Sequence, residues 1–496
     1  MCEGGSIIQT VSILGDFLKK NEIWVQVILI AIAAVFLSYD ITRPLVDWDE
    51  ATYAKVVVDT LQSGDLTTLQ LSGNNWFYKP PLYFWMAMGS VKVFGATEFA
   101  FRLPTIALPL LVLWLVYLIV RELTDDYLTA SLTFLVLLTS SLFLIFAREA
   151  RTDQGMILGI VAALFFCIKG WKNPTYLFWL FPSIAVGFLF KSIVVFLAFP
   201  AILLYAFFYG QWGWIKSRYL WMGSLLSLAI VVPWHLLETI RFGWQFWDRY
   251  VGGEVFNRVV SNYAGSQNSF NYFELLPFYK PWAFVLIIET LAIIGIVFSI
   301  KLRSKIDIGS LSAPLLTAGV IIGLFSAANT HLTTYLMPAF PFLAMYVALS
   351  YRYLLGLIKN RAVHISAVLV SVLLVSFYVP SSVMSALNQV PGATFDERRI
   401  GQILKENVNG VPYIVDWPML ETIPYYGNTQ LTYLDSKHDT GKLLRAPFYL
   451  IINSLDQSFF FRDPATPLHE GFKIVYVGKF LTMFHVDKDI SFPPFK

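Results

Sequence analysis

Charge is scarce in this chain. Lysine, arginine, aspartate and glutamate together supply 14% of its 496 residues, against about a quarter in an ordinary soluble domain, so there is too little ionic cover for a water-exposed surface of this size. The charges nearly balance, at a net +3. No block of consecutive basic residues of the kind that follows a phosphate backbone occurs, which sets nucleic acid aside as a partner. Cysteine is almost missing: Cys2 stands at the terminus and Cys167 inside an apolar run, and two thiols so placed make no disulfide framework. An internal repeat, the usual mark of a transporter, is lacking too.

What is present is apolar. Hydrophobic residues make up 56% of the chain and aromatic residues 17%, gathered in runs of about 20 residues, the length that crosses the hydrocarbon as a helix, and not alternated as a membrane barrel requires. The fold class expected is a polytopic α-helical membrane protein of about eleven spans, at roughly 23–40, 100–120, 127–147, 153–168, 174–190, 192–209, 219–238, 281–300, 311–328, 332–350 and 362–381. Residues 23–38 carry no cleavage signature and read as an uncleaved signal anchor, with the amino terminus and Lys19 and Lys20 cytoplasmic. Alternation then puts basic residues in every short inside loop, as the positive-inside rule requires. Two outer loops are long, about 41–99 and 239–280, and Pro80–Gly95 within the first suits a helix lying in the interface. Residues 1–385 form the membrane part. Residues 386–496 read as a small extracytoplasmic α/β domain, with strand-like runs at 412–415, 448–452 and 472–478 and a helix-like stretch at 396–408.

Carboxylates crowd the start of the first outer loop, where Asp47, Asp49 and Glu50 fall within four positions. Asp49 reads both as the cap of a helix from Glu50 to about Ser63 and as a general base for an acceptor hydroxyl. Lys79 is fixed by two following prolines and either snorkels to headgroups or contacts a lipid phosphate. Arg148, Glu149, Arg151 and Asp153 crowd a helix boundary on the same predicted side, where they pair with one another or join Asp49 and Lys79 in a site. Lys191 sits between two apolar runs, a setting in which an ionisable residue is a functional candidate. Glu254 and Arg258 share an i,i+4 spacing, fit either for a surface ion pair or for a guanidinium that grips phosphate. His331 and Tyr335 open a later span.

An ordered set of motifs runs through nearly the whole chain: DEATYA (49–54), YKPPLYFW (78–85), FGATEFAFRLP (94–104), AREARTDQGM (147–156), the lysine at 191, PW (233–234), EVFNR (254–258) and TTYLMPAFPFLA (333–344). On these motifs the chain resembles the GT-C superfamily of glycosyltransferases, in the bacterial branch related to protein O-mannosyltransferases and to the lipid A aminoarabinose transferase. The resemblance implies a polyprenyl-phosphate-linked sugar donor, an acceptor that is a lipid, a glycan or a protein, and a multi-pass protein of the plasma (inner) membrane. It implies Asp49 as catalytic base supported by Glu50, Asp153 as a second essential carboxylate, and Lys79, Arg258 and Lys191 as the grip on the donor phosphate. Tyr53, Tyr83, Arg148 and Arg151 join Glu254, His331 and Tyr335 as candidate substrate contacts. Relatives of the aminoarabinose type carry, before KPP, a glutamate that helps hold a metal; Tyr78 stands there in this chain, which argues against a bound divalent cation, and no other cofactor is implied. The reading from a different class is a lipid or small-molecule flippase, since many spans with charges near their ends also describe a transport path.

Overall fold

The computed structural model describes residues 16–491 apart from 47–48, 258–281, 299–306, 359–365, 367–378, 389–392, 408–409, 416–420, 435–438, 440–441 and 455–470. Helices dominate up to about residue 390, and polar residues at their starts take up the amide donors that a helix end leaves unpaired. Thr97 accepts from the Ala100 amide, Asp126 from Leu128 and Thr129, and Asp307 from Gly309 and Ser310. Helix Glu50–Ser63 stops at Gly64, whose φ of +78° is open to glycine at no steric cost.

Six helices among the described residues are long and apolar enough to cross a membrane, and a seventh span is made if the pair Tyr127–Leu138 and Ser141–Ala147, bent by 68°, counts as one. This is a multi-pass membrane protein. Eleven spans were expected, and the differences have physical reasons. Helices Glu22–Ser38 and Trp282–Phe298 have 17 residues each, about 25 Å of rise, slightly short of the roughly 30 Å of hydrocarbon. The run at 362–381 lies largely outside the described residues. Leu82–Phe94, the expected interfacial helix, is 13 residues long and so too short to span.

Pro174–Phe208, one apolar stretch of 35 residues in the count of six, folds back on itself into two arms at the runs expected at 174–190 and 192–209. Lys191 meets Asp153 at the start of helix Asp153–Lys172, whereas the Tyr209 ring lies 5.5 Å from that of Trp171 at the other end of the same helix. The chain therefore travels out and returns, reversing at Ser192, which adopts φ +54°. The outgoing arm packs closely on Asp153–Lys172 because glycines face each other. A Cβ on Gly159 would lie 2.8 Å from the Gly187 Cα, a backbone atom that cannot move aside. This packing fixes Asp153 opposite Lys191.

Beyond residue 390 the chain forms helix Ala393–Glu406 and a five-stranded sheet in the order Thr432–Leu434, Val411–Val415, Phe448–Asn453, Leu481–Val486, Phe472–Val477. The first three strands are parallel and the last two antiparallel. Short helix Thr422–Gly427 leaves this region to pack on helix Glu50–Ser63.

Candidate active site

Asp49 and Glu50 are adjacent, and about 100° of rotation per helical residue sends their side chains apart. Glu50 turns inward. Its Oε1 accepts from Arg102 Nε at 2.8 Å and the Ala150 amide at 2.6 Å, and its Oε2 from Arg102 Nη2 at 2.7 Å and the Val46 amide at 2.8 Å. Arg102 also donates to the carbonyls of Ile41, Arg43 and Pro44. Burial opposes the Glu50 charge, but the Arg102 guanidinium outweighs it and holds the carboxyl below its usual range. Expected as a catalytic partner, Glu50 is instead 1% exposed with both oxygens occupied, a strut that shapes the loop before Asp49. Arg102 was not singled out from sequence; an arginine inside an apolar helix was the available signal, because such a charge needs a buried partner.

Asp49 occupies the cap position of its helix, yet its side chain makes no capping bond. Its Oδ2 pairs instead with Arg151 Nη2. Arg151 is the hub of the cluster: Nη1 reaches Glu149 and Nε reaches Asp153, each at 3.3 Å. Burial works against the Arg151 charge, and Asp49, Asp153 and Glu149 together more than offset it, raising its pKa above the ordinary value. Asp153 gives its other oxygen to Lys191 Nζ at 2.5 Å, and that ammonium stands 5.9 Å from the centre of the Tyr335 ring. A chain of charge thus runs from Asp49 through Arg151 and Asp153 to Lys191.

Lys191 and Asp153 open onto a cavity of about 400 Å³. Lys79 and Tyr78 also line it, and Ile193, Val194, Phe196, Leu197, Leu324 and Phe325 make most of its lining apolar. Of the expected site residues, Lys79, Asp153, Lys191 and Tyr335 line this cavity, and Asp49 is joined to it through Arg151. Others fall elsewhere. Tyr53 and Tyr83 are buried in an aromatic cluster with Trp76 and Phe84, and the Tyr53 phenol is close enough to Arg151 to act on its charge. Arg148, 2% exposed, ties three carbonyls, those of Tyr39, Ala386 and Leu387, and is a structural clamp. His331 places Nε2 3.4 Å from the Ser326 carbonyl and is not among the cavity-lining residues. Arg258 and the Glu254 side chain lie outside the described residues.

A divalent cation does not fit the residues at the Tyr78 position. The Tyr78 hydroxyl accepts from Arg249 Nη1 at 3.3 Å, so a phenol and a guanidinium occupy the place where a carboxylate ligand would be needed.

Burial pushes the Glu149 carboxyl up to about 7 against the opposing pull of Arg151, with Glu50 and Asp49 adding to the rise. The folded chain therefore keeps a proton that an unfolded glutamate releases near pH about 4.3. The folded state binds more protons across that window, so this group's contribution is fully present at low pH and is lost as pH rises towards about 7. Glu149→Gln should flatten the corresponding fall in stability, measured by thermal unfolding in detergent from about pH 5 to 8.

Comparison with known proteins gives this arrangement a context. A family model described as dolichyl-phosphate-mannose-protein mannosyltransferase matches residues 78–236. An undecaprenyl phosphate-alpha-4-amino-4-deoxy-L-arabinose arabinosyl transferase of Proteus mirabilis is 25% identical over 333 residues, covering 66% of this chain and 58% of that protein. An uncharacterized protein of Aquifex aeolicus is 25% identical over 312 residues, covering 60% and 58%. The chain thus spans less than two thirds of the length of these curated relatives. The crystal structure of ArnT from Cupriavidus metallidurans bound to undecaprenyl phosphate superposes with a TM-score of 0.66 at 18% identity, over 92% of this chain and 97% of that one. The chain has the fold of that structure. A second match, the Archaeoglobus fulgidus oligosaccharyltransferase, gives a TM-score of 0.51 at 12% identity over 93% of this chain and 73% of that one. Within this fold the ionic chain from Asp49 to Lys191 and the apolar cavity meet at Asp153 and Lys191.

Proposed function

We propose that this chain is an integral membrane glycosyltransferase that moves a sugar from a polyprenyl-phosphate carrier to a hydroxyl of a lipid, glycan or protein at the outer face of the plasma (inner) membrane. The observation that carries the reading is the cavity: mostly apolar walls that suit a prenyl chain, with Lys79 and Lys191 among its lining residues as the cations available to its phosphate. The names of the relatives and the carrier bound to ArnT support it.

In the reaction proposed, Asp49 takes the proton of the acceptor hydroxyl while that oxygen attacks the anomeric carbon. A new carbon–oxygen bond forms as the bond from the anomeric carbon to the phosphate oxygen breaks, and its electron pair leaves on the phosphate. Lys79 and Lys191 balance the charge that grows there, the preorganised help that is often the largest part of catalysis. Attack opposite the leaving group inverts the anomeric centre. Arg151 fixes the Asp49 carboxylate by one oxygen. No step runs through a metal ion.

Binding of undecaprenyl phosphate to the purified chain tests the cavity assignment. Lys191→Met should weaken it by about tenfold or more, since a charge-assisted phosphate contact contributes on the order of 1.5–3 kcal/mol. Equal affinity for wild type and Lys191→Met, in detergent or nanodiscs, would remove the carrier from this cavity.

A further inference from the structure

The carboxyl-terminal region reaches the loop that carries Asp49 through one short helix. Tyr426, on helix Thr422–Gly427, accepts from the Leu45 amide at 3.0 Å and donates to Glu98 Oε1 at 2.9 Å. Arg398, from helix Ala393–Glu406, pairs with the same Glu98 oxygen at 3.3 Å and lies 5.4 Å from the Tyr426 ring centre. Beside it Tyr425 packs edge-on against Phe101 at 5.8 Å and donates to the Ala96 carbonyl at 3.3 Å.

What these contacts hold is the segment before the proposed base. Leu45 is fully buried and lies between two residues already bound to the Glu50–Arg102 pair, through the Pro44 carbonyl and the Val46 amide. Three successive residues are therefore fixed by backbone hydrogen bonds, and the middle one is fixed by a residue from the other end of the chain. The side chain of Asp49 follows four positions later, at the first turn of the helix on which Thr422–Gly427 packs.

We infer that Tyr426 is a positioning residue for Asp49, and that the carboxyl-terminal region sets the geometry of the base in addition to any contact with the acceptor. Its position relative to the base rests on the glycosyltransferase reading; its hold on residues 44–46 does not. The donor cavity is lined by residues of the membrane part, so loosening this clamp changes turnover and leaves carrier binding in place. A displacement of about 1 Å at a reacting group can lower a rate by up to about a hundredfold.

The test compares Tyr426→Phe with wild type in hydrogen–deuterium exchange and in transfer kinetics. Tyr476→Phe serves as control: its hydroxyl donates to Asp396, on the helix that also carries Arg398, so it disturbs that helix without removing the Tyr426 hydroxyl. Tyr426→Phe should speed exchange at the Leu45 amide by about tenfold, lower kcat by a similar factor and leave KM for the donor unchanged. Tyr476→Phe should do none of these. Glu98→Gln, which keeps a partner for the Tyr426 hydroxyl and loses the Arg398 ion pair, should give an intermediate kcat with the same KM. Unchanged exchange at Leu45 in Tyr426→Phe overturns the inference whether or not the enzyme assay works. So does a rise in donor KM at constant kcat, or equal losses in Tyr426→Phe and Tyr476→Phe. Wild-type chain that transfers no sugar refutes the glycosyltransferase reading, and the exchange comparison still decides the clamp.

Discussion

Replacing Asp49 by asparagine should reduce sugar transfer by about 10²–10⁴-fold, the usual contribution of a positioned general base, while the protein still folds and inserts. Asparagine has nearly the same shape and can still accept a hydrogen bond from Arg151, so the cluster around it remains largely formed. What it cannot do is accept the acceptor's proton. The control is Asp153→Asn, which disturbs the partner of Lys191 and should raise the donor KM as well as lower kcat. Transfer assayed in membranes at matched expression separates the two. Wild-type turnover in Asp49→Asn would move the base elsewhere.

The second large effect falls on stability. Glu50 and Arg102 are 1% and 0% exposed and joined by two hydrogen bonds. Removing one partner of such a pair leaves the other charge buried without compensation, at a loss of about 3–5 kcal/mol. Arg102→Met and Glu50→Gln should therefore each unfold in detergent well below wild type, by differential scanning fluorimetry. The double variant should recover only in part. Glu50 also accepts from the amides of Val46 and Ala150, and an orphaned buried donor carries its own penalty of about 1–3 kcal/mol. Full recovery in the double variant would mean that the amides are satisfied by water and that the pair is not the loop's anchor.

Local pattern was legible in the sequence where a single element decides it. The expected strand runs at 412–415, 448–452 and 472–478 meet strands Val411–Val415, Phe448–Asn453 and Phe472–Val477, and the helical stretch 396–408 meets Ala393–Glu406. Leu481–Val486 was not foreseen. Its LTMFHV sequence carries neither clean alternation nor a β-branched run, and it becomes a strand by pairing on both sides. In the site, the cation at 191 and the carboxylate at 153 were legible as charges stranded in apolar sequence, and their meeting follows from the glycine-packed hairpin.

Burial was the part that sequence could not supply. Arg148 stands one residue from Glu149 of the ion cluster, yet it is buried and turned to the carbonyls of Tyr39, Ala386 and Leu387, and Tyr83 is buried too. Glu50, expected to support Asp49 in catalysis, faces inward as well. The contact between Tyr426 and Leu45 joins residues 381 positions apart, and no local pattern announces it.

The most direct measurement is transfer of radiolabelled sugar from a panel of pentosyl and hexosyl polyprenyl phosphates, in membranes carrying wild type or the Lys79→Ala/Lys191→Ala double variant. The account predicts donor-dependent transfer by wild type and its loss in the variant. No transfer from any donor, together with movement of a fluorescent polyprenyl phosphate between leaflets, would contradict it and make the chain a flippase.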